Sequence, residues 1–449
     1  ADAGVSIWHG TALDLPLADA SVDLVVTSPP YYGLRSYTDD GAHYAEQVGG
    51  EPTPREYVDT LLEATAEMVR VLKPAGSIWV NLGDKFSRPG GGGDRANRSL
   101  DGAGRGATMR RPTSSRSVGE IPEKSLMGLP WRYALRVMDD LGLILRRDQI
   151  WSKTNGMPES VTDRTRSTHE YLFHFVKRPD YFSAIDEIRE PHARAWVGGV
   201  NGGRGGWDRG DHLNAGLADA VPHALGALPG SVWEIATQPL HTPWGYGVEA
   251  GRIARYFTDE RDAVGWLRLG NGARRRRIRQ LPDHFAAFPI ELPRRIIRGW
   301  SPAGICTACG EGRRPVAEKS LVPDAQGRVG TLHSGVSRKR AHATARKMLD
   351  GLALRTIAGY ECACPSPAAA TRPAVVLDPF GGTCTTALVA RAEGRSGVAV
   401  DLSADYCRLG RWRVTDPGEL ARALEVRKPP PVPLDTDALF DLGGSVAPA

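Results

Sequence analysis

Ser28, Pro29, Pro30 and Tyr31 place a hydroxyl, fixed backbone carbonyls and an aromatic face within one short stretch. The Ser28 hydroxyl can accept or donate, and the Pro29 carbonyl can accept. Tyr31 offers a ring on which a planar group can stack. Together they suit a planar group bearing –NH₂, with two acceptors for the amino hydrogens and a ring against its face. Accepting both hydrogens draws the nitrogen lone pair out of conjugation and turns it towards an electrophile. No strong base is needed if the proton leaves after group transfer, so the work is positioning and electrostatics.

A second stretch, Asp378-Pro379-Phe380-Gly381-Gly382-Thr383-Cys384-Thr385-Thr386, follows an apolar run and opens a helical one. Glycine lets a ligand approach the backbone closely, and the first amides of a helix are donors. Asp401 comes 19 residues after Gly382, a distance that suits a ribose diol at the next strand tip. The spacing is not GxGxxG, so a dinucleotide fits poorly. A Gly-rich turn in an α/β protein can also be simple tight turning. Cys306-x-x-Cys309 and Cys362-x-Cys364 are two short pairs with 52 residues between them, the first followed by Gly310. They look like the two knuckles of a zinc ribbon. Four thiolates would close the coordination sphere and make the site structural. Buried thiols or a disulfide do not explain the paired spacing in a reducing compartment. Cys407 reads as a core thiol.

The elements that must position these residues follow an α/β pattern. Val22 to Val26 is a buried strand that runs into the Pro-Pro loop, where the ladder must stop. Residues 55–72 carry apolar residues at helical spacing (Tyr57, Leu61, Leu62, Ala66, Met68, Val69, Leu72), and Lys73-Pro74-Ala75-Gly76 ends the helix. Ser77 to Leu82 reads as the next strand. Residues 125–141 read as a helix, 143–154 and 170–177 as strands, and 284–300 as helical. Pro373 to Leu377 and Gly397 to Val400 read as strands, with a helix from Thr385 to Glu393 between them. Strand-helix-strand alternation predicts a mostly parallel sheet.

The chain has 449 residues, 41% hydrophobic and 24% charged, ample for a sizeable core. No apolar run nears the ~18 residues of a membrane span. No secretory leader is visible, and six Cys are too few for a disulfide scaffold, which suits the cytoplasm. The net charge is +5, concentrated in islands. Residues 88–120 hold seven Arg against three acids, 264–300 hold nine Arg against two, and 311–350 hold nine Lys or Arg against four. Arg274 to Arg277 form an unbroken run. Such islands point to a polyanion partner, although charge runs are also ordinary solvated surface.

VDLVVTSPPYYGLR and VVLDPFGGTCTTALVARAEGRSGVAVDLSADY resemble the two signature regions of the S-adenosylmethionine-dependent DNA amino-methyltransferases. The order, SPPY first and DPFGG last, is similar to the β group of that family. Ile150 to Lys153, Met157 to Ser160, Arg164 and His169-Glu170 resemble its block lining the target-base pocket. Val232 to Ile235 and His284 to Pro289 also recur in it. The resemblance implies a Rossmann-like methyltransferase fold, double-stranded DNA as substrate, a flipped target base and, in restriction–modification, a cognate endonuclease. It implies that Ser28, Pro29, Pro30 and Tyr31 hold the base. Asp378, Pro379, Phe380, Gly381, Gly382, Thr383 and Thr385 would cradle the cofactor, Asp401 would take its ribose, and Phe288 and Pro289 would pack beside its methionine end.

The expected organisation is a catalytic half at 1–189 containing a flexible basic loop at 87–118, and a target-recognition region at 190–283. A helix at 284–300 packs on the cofactor site, a basic Cys-containing insert spans 301–372, and the cofactor-binding half is 373–425. A Pro-rich acidic tail covers 426–449. Two positions depart from the family pattern. Cys384 stands where a Gly is expected, and Thr11 where an acid usually follows Gly10; both threaten cofactor affinity. Ser at position 28, where adenine enzymes usually carry an acid, favours cytosine N4. No Cys lies near the SPPY loop, so covalent carbon-5 chemistry is not expected.

Overall fold

The computed structural model describes residues 4–33, 38–39, 42–43, 47–87, 121–156, 158–191, 225–238, 288–321, 353–362, 364 and 369–427. Residues 88–118 of the expected basic loop, Arg274 to Arg277, residues 322–352 of the Cys-containing insert, most of the expected recognition region and the tail beyond 427 lie outside the described residues.

In chain order the elements are β1 (Val5–His9), β2 (Val22–Thr27), β3 (Thr38–Asp39), β4 (Ala42–His43), α1 (Pro54–Val71), β5 (Leu72–Leu82), α2 (Leu129–Leu141), β6 (Ile144–Ser152) and β7 (His169–Val176). They continue with β8 (Val232–Glu234), α3 (Glu291–Trp300), β9 (Ile305–Cys306), β10 (Arg314–Leu321), β11 (Ala353–Glu361) and β12 (Thr371–Arg372). The chain then forms β13 (Val375–Asp378), α4 (Thr385–Ala392), β14 (Ser396–Asp401), α5 (Ala404–Thr415) and α6 (Pro417–Ala423).

One eight-stranded sheet, ordered β1-β14-β13-β2-β5-β7-β6-β8, carries the fold. β7 runs antiparallel to both neighbours, and every other pairing is parallel. This is the expected mostly parallel α/β sheet. Its central strands are covered on both faces, which is why all six residues of β2 are buried. The chain leaves β13 through α4 towards β14 on one side, and β2 through α1 towards β5 on the other. β13 and β2 are therefore neighbours at a switch point, and the crevice outside their carboxyl ends is where such sheets place ligands.

Several boundaries shift for local reasons. α1 starts at Pro54 because Thr53 and Glu56 form a reciprocal capping box; Ala66 is exposed, and Ala64 and Thr65 are buried instead. β5 starts at Leu72, before the Lys-Pro-Ala-Gly expected to separate helix from strand. That stretch is a bulge: Val22 pairs with Leu72, but Leu24 pairs with Ser77. A Cβ on Gly76 would lie 2.8 Å from the Asp23 carbonyl, so only glycine fits there. α2 begins at Leu129 rather than 125. The Asp84 carboxylate, just beyond β5, accepts the amides of Gly128 (2.9 Å) and Leu129 (3.2 Å) and caps the helix from across the chain. α3 covers Glu291–Trp300 of the expected 284–300.

Two strands of this sheet were not foreseen. β1 pairs with β14 at one edge, and β8 pairs with β6 at the other. Val232–Glu234 thus extends the catalytic sheet although it falls within the range assigned to target recognition, and Trp233 is buried in the core. Among the described residues, no helix is long and apolar enough to cross a membrane.

Candidate active site

The two signature loops meet at the switch point. Thr27 Oγ1 donates to Asp378 Oδ1 at 2.7 Å, and Thr386 Oγ1 donates to Asp378 Oδ2 at 2.8 Å. The Phe380 amide adds a third donor at 3.2 Å. Burial pushes the Asp378 carboxyl up to about 6, even though these donors favour its charged form. Asp378 therefore ties β2, β13 and α4 together, and its carboxylate faces protein donors.

The loop after β13 presses on β14. A Cβ on Gly381 would meet the Ala399 Cβ at 2.8 Å, which explains the glycine. The Gly382 amide donates to Asp401 Oδ2 at 2.6 Å, and the Ser403 amide to Oδ1 at 2.8 Å. Asp401 is half-exposed at the tip of β14, and a carboxylate offers about four lone-pair sites, so ribose hydroxyls can join these amides. Phe380 is also half-exposed beside it. These features fit a nucleoside cofactor lying across the tips of β13 and β14.

Thr383 and Thr385 turn inward. Both hydroxyls accept from Arg413 Nη1 at 2.9 Å, and the Thr383 carbonyl accepts from the same nitrogen at 2.7 Å. Arg413 is buried on α5 and also meets buried Glu419 at 3.3 Å. These threonines therefore contribute backbone and loop shape. Cys384 has φ +59°, yet its side chain avoids the cradle and packs over Gly410 of α5. A Cβ at Gly410 would come within 2.3 Å of the Cys384 sulphur, so the two positions are complementary. The Thr11 hydroxyl accepts the Leu13 amide at 3.2 Å in a local turn. Phe288 and Pro289 are buried, and Phe288 packs in the cluster containing Leu24, Val26 and Trp79.

On the other side of the crevice, the Pro30 carbonyl accepts the Tyr57 hydroxyl at 3.0 Å, which anchors the Pro-Pro loop to α1. Among the described residues no donor reaches the Pro29 carbonyl. The Tyr31 ring lies against Gly83, where a Cβ would stand 2.8 Å from it. The Tyr31 hydroxyl donates to Glu170 Oε2 at 2.7 Å and accepts from Asn81 Nδ2 at 2.9 Å. Burial and the Glu170 charge hold this phenol well above its ordinary range, so it stays protonated. Asn81 Nδ2 also lies 2.7 Å from Glu170 Oε2 and 3.3 Å from Ser28 Oγ. Lys153 closes the network with an ion pair to Glu170. Trp151 is core, its indole N–H donating to the Ile235 carbonyl at 2.8 Å. Arg164 pairs with Glu159 at 2.7 Å and lies over the Phe86 ring. Asn81 and Arg413 were not singled out in the sequence, because neither lies in a motif and both act through tertiary contact.

The four cysteines of the two short pairs also come together, with all four sulphurs within 4.8 Å of one another.

The family model described as DNA methylase matches residues 22–306, more than half of the chain. The chain belongs to the DNA methylase family. This is the family of S-adenosylmethionine-dependent amino-methyltransferases acting at N6 or N4. Among curated relatives, the methylase chain is 40% identical over 208 residues to Type II methyltransferase M.XycI of Xanthomonas campestris pv. cyanopsidis, covering 46% of this chain and 64% of that one. It is 37% identical over 194 residues to M.Cfr9I of Citrobacter freundii, covering 42% and 59%. The methylase chain thus spans less than two thirds of the length of these relatives. A solved structure, the PvuII DNA methyltransferase (cytosine-N4-specific), aligns with TM-score 0.47 and 16% identity over 95% of this chain and 94% of that one.

Proposed function

We propose that this protein transfers a methyl group from S-adenosylmethionine to the exocyclic amino group of a base flipped out of double-stranded DNA, and that the base is cytosine, methylated at N4. The observation that carries the reading is the junction of the two loops: Ser28 to Tyr31 and Asp378 to Gly382 flank one crevice and are joined by the Thr27–Asp378 hydrogen bond. A methyl donor resting on one loop and an amino group held by the other would face each other.

The cofactor supplies an electrophilic methyl on a sulfonium. Gly381, Gly382 and Asp401 would hold its nucleoside end, with Phe380 beside it. Ser28 Oγ and the Pro29 carbonyl would accept the two amino hydrogens and aim the nitrogen lone pair at the methyl carbon. The Asn81 amide oxygen is buried and meets no donor among the described residues. An unmet buried acceptor costs about 1–3 kcal/mol, which a bound hydrogen-bond donor would offset. On transfer the new N–C bond would replace the S–C bond, leaving a neutral thioether, and the amino nitrogen would pass its proton to solvent. No strong base is required of the chain. Tyr31, held by Glu170 and Asn81, would give the base a stacking face and recover part of the unstacking cost.

Ser28 supports cytosine over adenine, since it supplies a neutral acceptor where an acid is usual for adenine. The Type II names of the relatives support a role in restriction–modification alongside a cognate endonuclease. A relic with weakened cofactor binding finds less support, because Cys384 packs towards Gly410 and leaves the cradle clear.

The test is to incubate the full chain with unmethylated DNA and S-adenosylmethionine, digest to nucleosides, and analyse by mass spectrometry. N4-methylcytosine is expected. N6-methyladenine would keep the mechanism and overturn the reading of Ser28. No methylated nucleoside on DNA of varied sequence would overturn the activity.

A further inference from the structure

We propose that Cys306, Cys309, Cys362 and Cys364 hold one zinc ion, and that this ion clamps the β10–β11 hairpin at the amino end of β13, the end of the sheet opposite the catalytic crevice. The proposal is independent of the methyl-transfer reading.

The sulphurs are arranged as ligands. Cys309 and Cys362 lie 3.8 Å apart, Sγ to Sγ. A tetrahedral ion with Zn–S bonds of about 2.3 Å has sulphurs about 3.8 Å apart. A disulfide would bring them to about 2.05 Å. Burial is not what gathers them, since Cys309 is exposed and Cys362 and Cys364 are half-exposed. The first knuckle is also shaped for thiolates. The amides of Ala308 and Cys309 donate to the Cys306 sulphur, and the Glu311 amide donates to that of Cys309. Gly310, at φ +76°, makes the turn and returns its amide to the Cys306 carbonyl at 2.9 Å. Such N–H···S bonds orient the ligands. Four sulphurs and no open position make a closed, structural site.

The location gives the site its role. Cys306 ends β9, shortly after α3. Cys362 and Cys364 follow β11 and precede β12, which pairs with β9 and leads into β13. β13 enters the sheet here and reaches the cofactor loop only at its far end. Gly312 packs on Pro302 and Phe182, and Arg314 lies over the Phe182 ring at 5.6 Å. The ion would thus join the two ends of a long excursion and seat its base on the 181–188 segment. A cross-link of this kind stabilises by limiting the unfolded chain, with a weight that grows slowly with loop length.

The full chain, purified without added metal and passed over a chelating resin, should carry about one zinc per chain by elemental analysis, the stoichiometry of one closed tetrahedral site. Mercurial titration of its thiols should release that zinc. Cys309→Ser and Cys364→Ser should each lower bound zinc at least about tenfold, because three remaining thiolates no longer close the site. Cys407→Ser should keep it, since that thiol packs between the Trp8 and Asp401 carbonyls. Wild-type protein free of metal, with all four thiols reacting at once or joined as disulfides, would overturn the proposal. So would a full complement of iron in place of zinc, or retention of zinc by both serine variants.

Discussion

Asp378 and His174 link stability to pH in opposite directions. Burial raises the Asp378 carboxyl to about 6 and lowers the His174 imidazole to about 3. The Asp378 contribution is fully present below the unfolded value near 3.8 and is lost as pH rises through about 6. The His174 contribution is present above the unfolded value of 6.5 and is lost as pH falls towards 3. Between pH 4 and 6 the two slopes offset each other. Asp378→Asn keeps a side chain of the same shape, and the Thr27 and Thr386 hydroxyls can turn to suit it. It should leave the His174 slope unopposed, so that stability climbs with pH relative to wild type by up to about 1.4 kcal/mol per unit across this window. Denaturant melts at a series of pH values measure the difference, and identical slopes would show that Asp378 titrates no differently in the folded and unfolded chain.

At the scale of elements, the cofactor loop is held from behind by α5 and α6. Arg413 on α5 donates to three oxygens of the Thr383–Thr385 stretch, and buried Glu419 on α6 balances its charge. Removing one partner of a buried pair costs about 3 kcal/mol or more where the other is left without compensation; here Arg422, 2.6 Å from the second Glu419 oxygen, offsets part of that cost. Arg413→Met should therefore lower the melting temperature and weaken S-adenosylmethionine binding together, as read by calorimetry. Adding Glu419→Gln should recover part of the stability but not the affinity, since the threonine oxygens still lack their donor. Full recovery of binding in the double variant would mean that the arginine does not shape the loop.

For the whole molecule, the proposed DNA substrate would meet the charge islands, most of which lie outside the described residues. Changing Arg274 to Arg277 to Ala should weaken DNA binding in all sequence contexts. It should also flatten the plot of log K against log salt by about 0.9 for each phosphate that the variant no longer neutralises. Binding titrations at several salt concentrations measure this slope, and an unaltered slope would show that the run does not meet phosphate. The described sheet adds a spatial division: the crevice lies at the carboxyl ends of β2 and β13, and the cysteine cluster towards the amino end of β13. The proposed chemistry and the proposed clamp would therefore be separable by mutation.

The residues alone specify the two signature loops, the alternation of strand and helix, and the order of the motifs along the chain. These are legible because apolar periodicity, Pro-Pro stops and capping residues act over a few neighbours; Thr53 and Glu56 cap α1 within three residues of each other. Which loops meet is set by the assembled fold. Thr27 and Asp378 are separated by 351 positions, and no local signal states that β2 and β13 are neighbours. The same reason hid the roles of Asn81 and Arg413, the inward turn of the Thr383 and Thr385 hydroxyls, and the space at Gly410 that receives Cys384. It also explains why Val232–Glu234, three residues without a strong strand signature, became an edge of the sheet: β6 supplied the partner. Local chemistry writes the elements, whereas pairing and packing between distant residues choose their neighbours and thereby assemble the site.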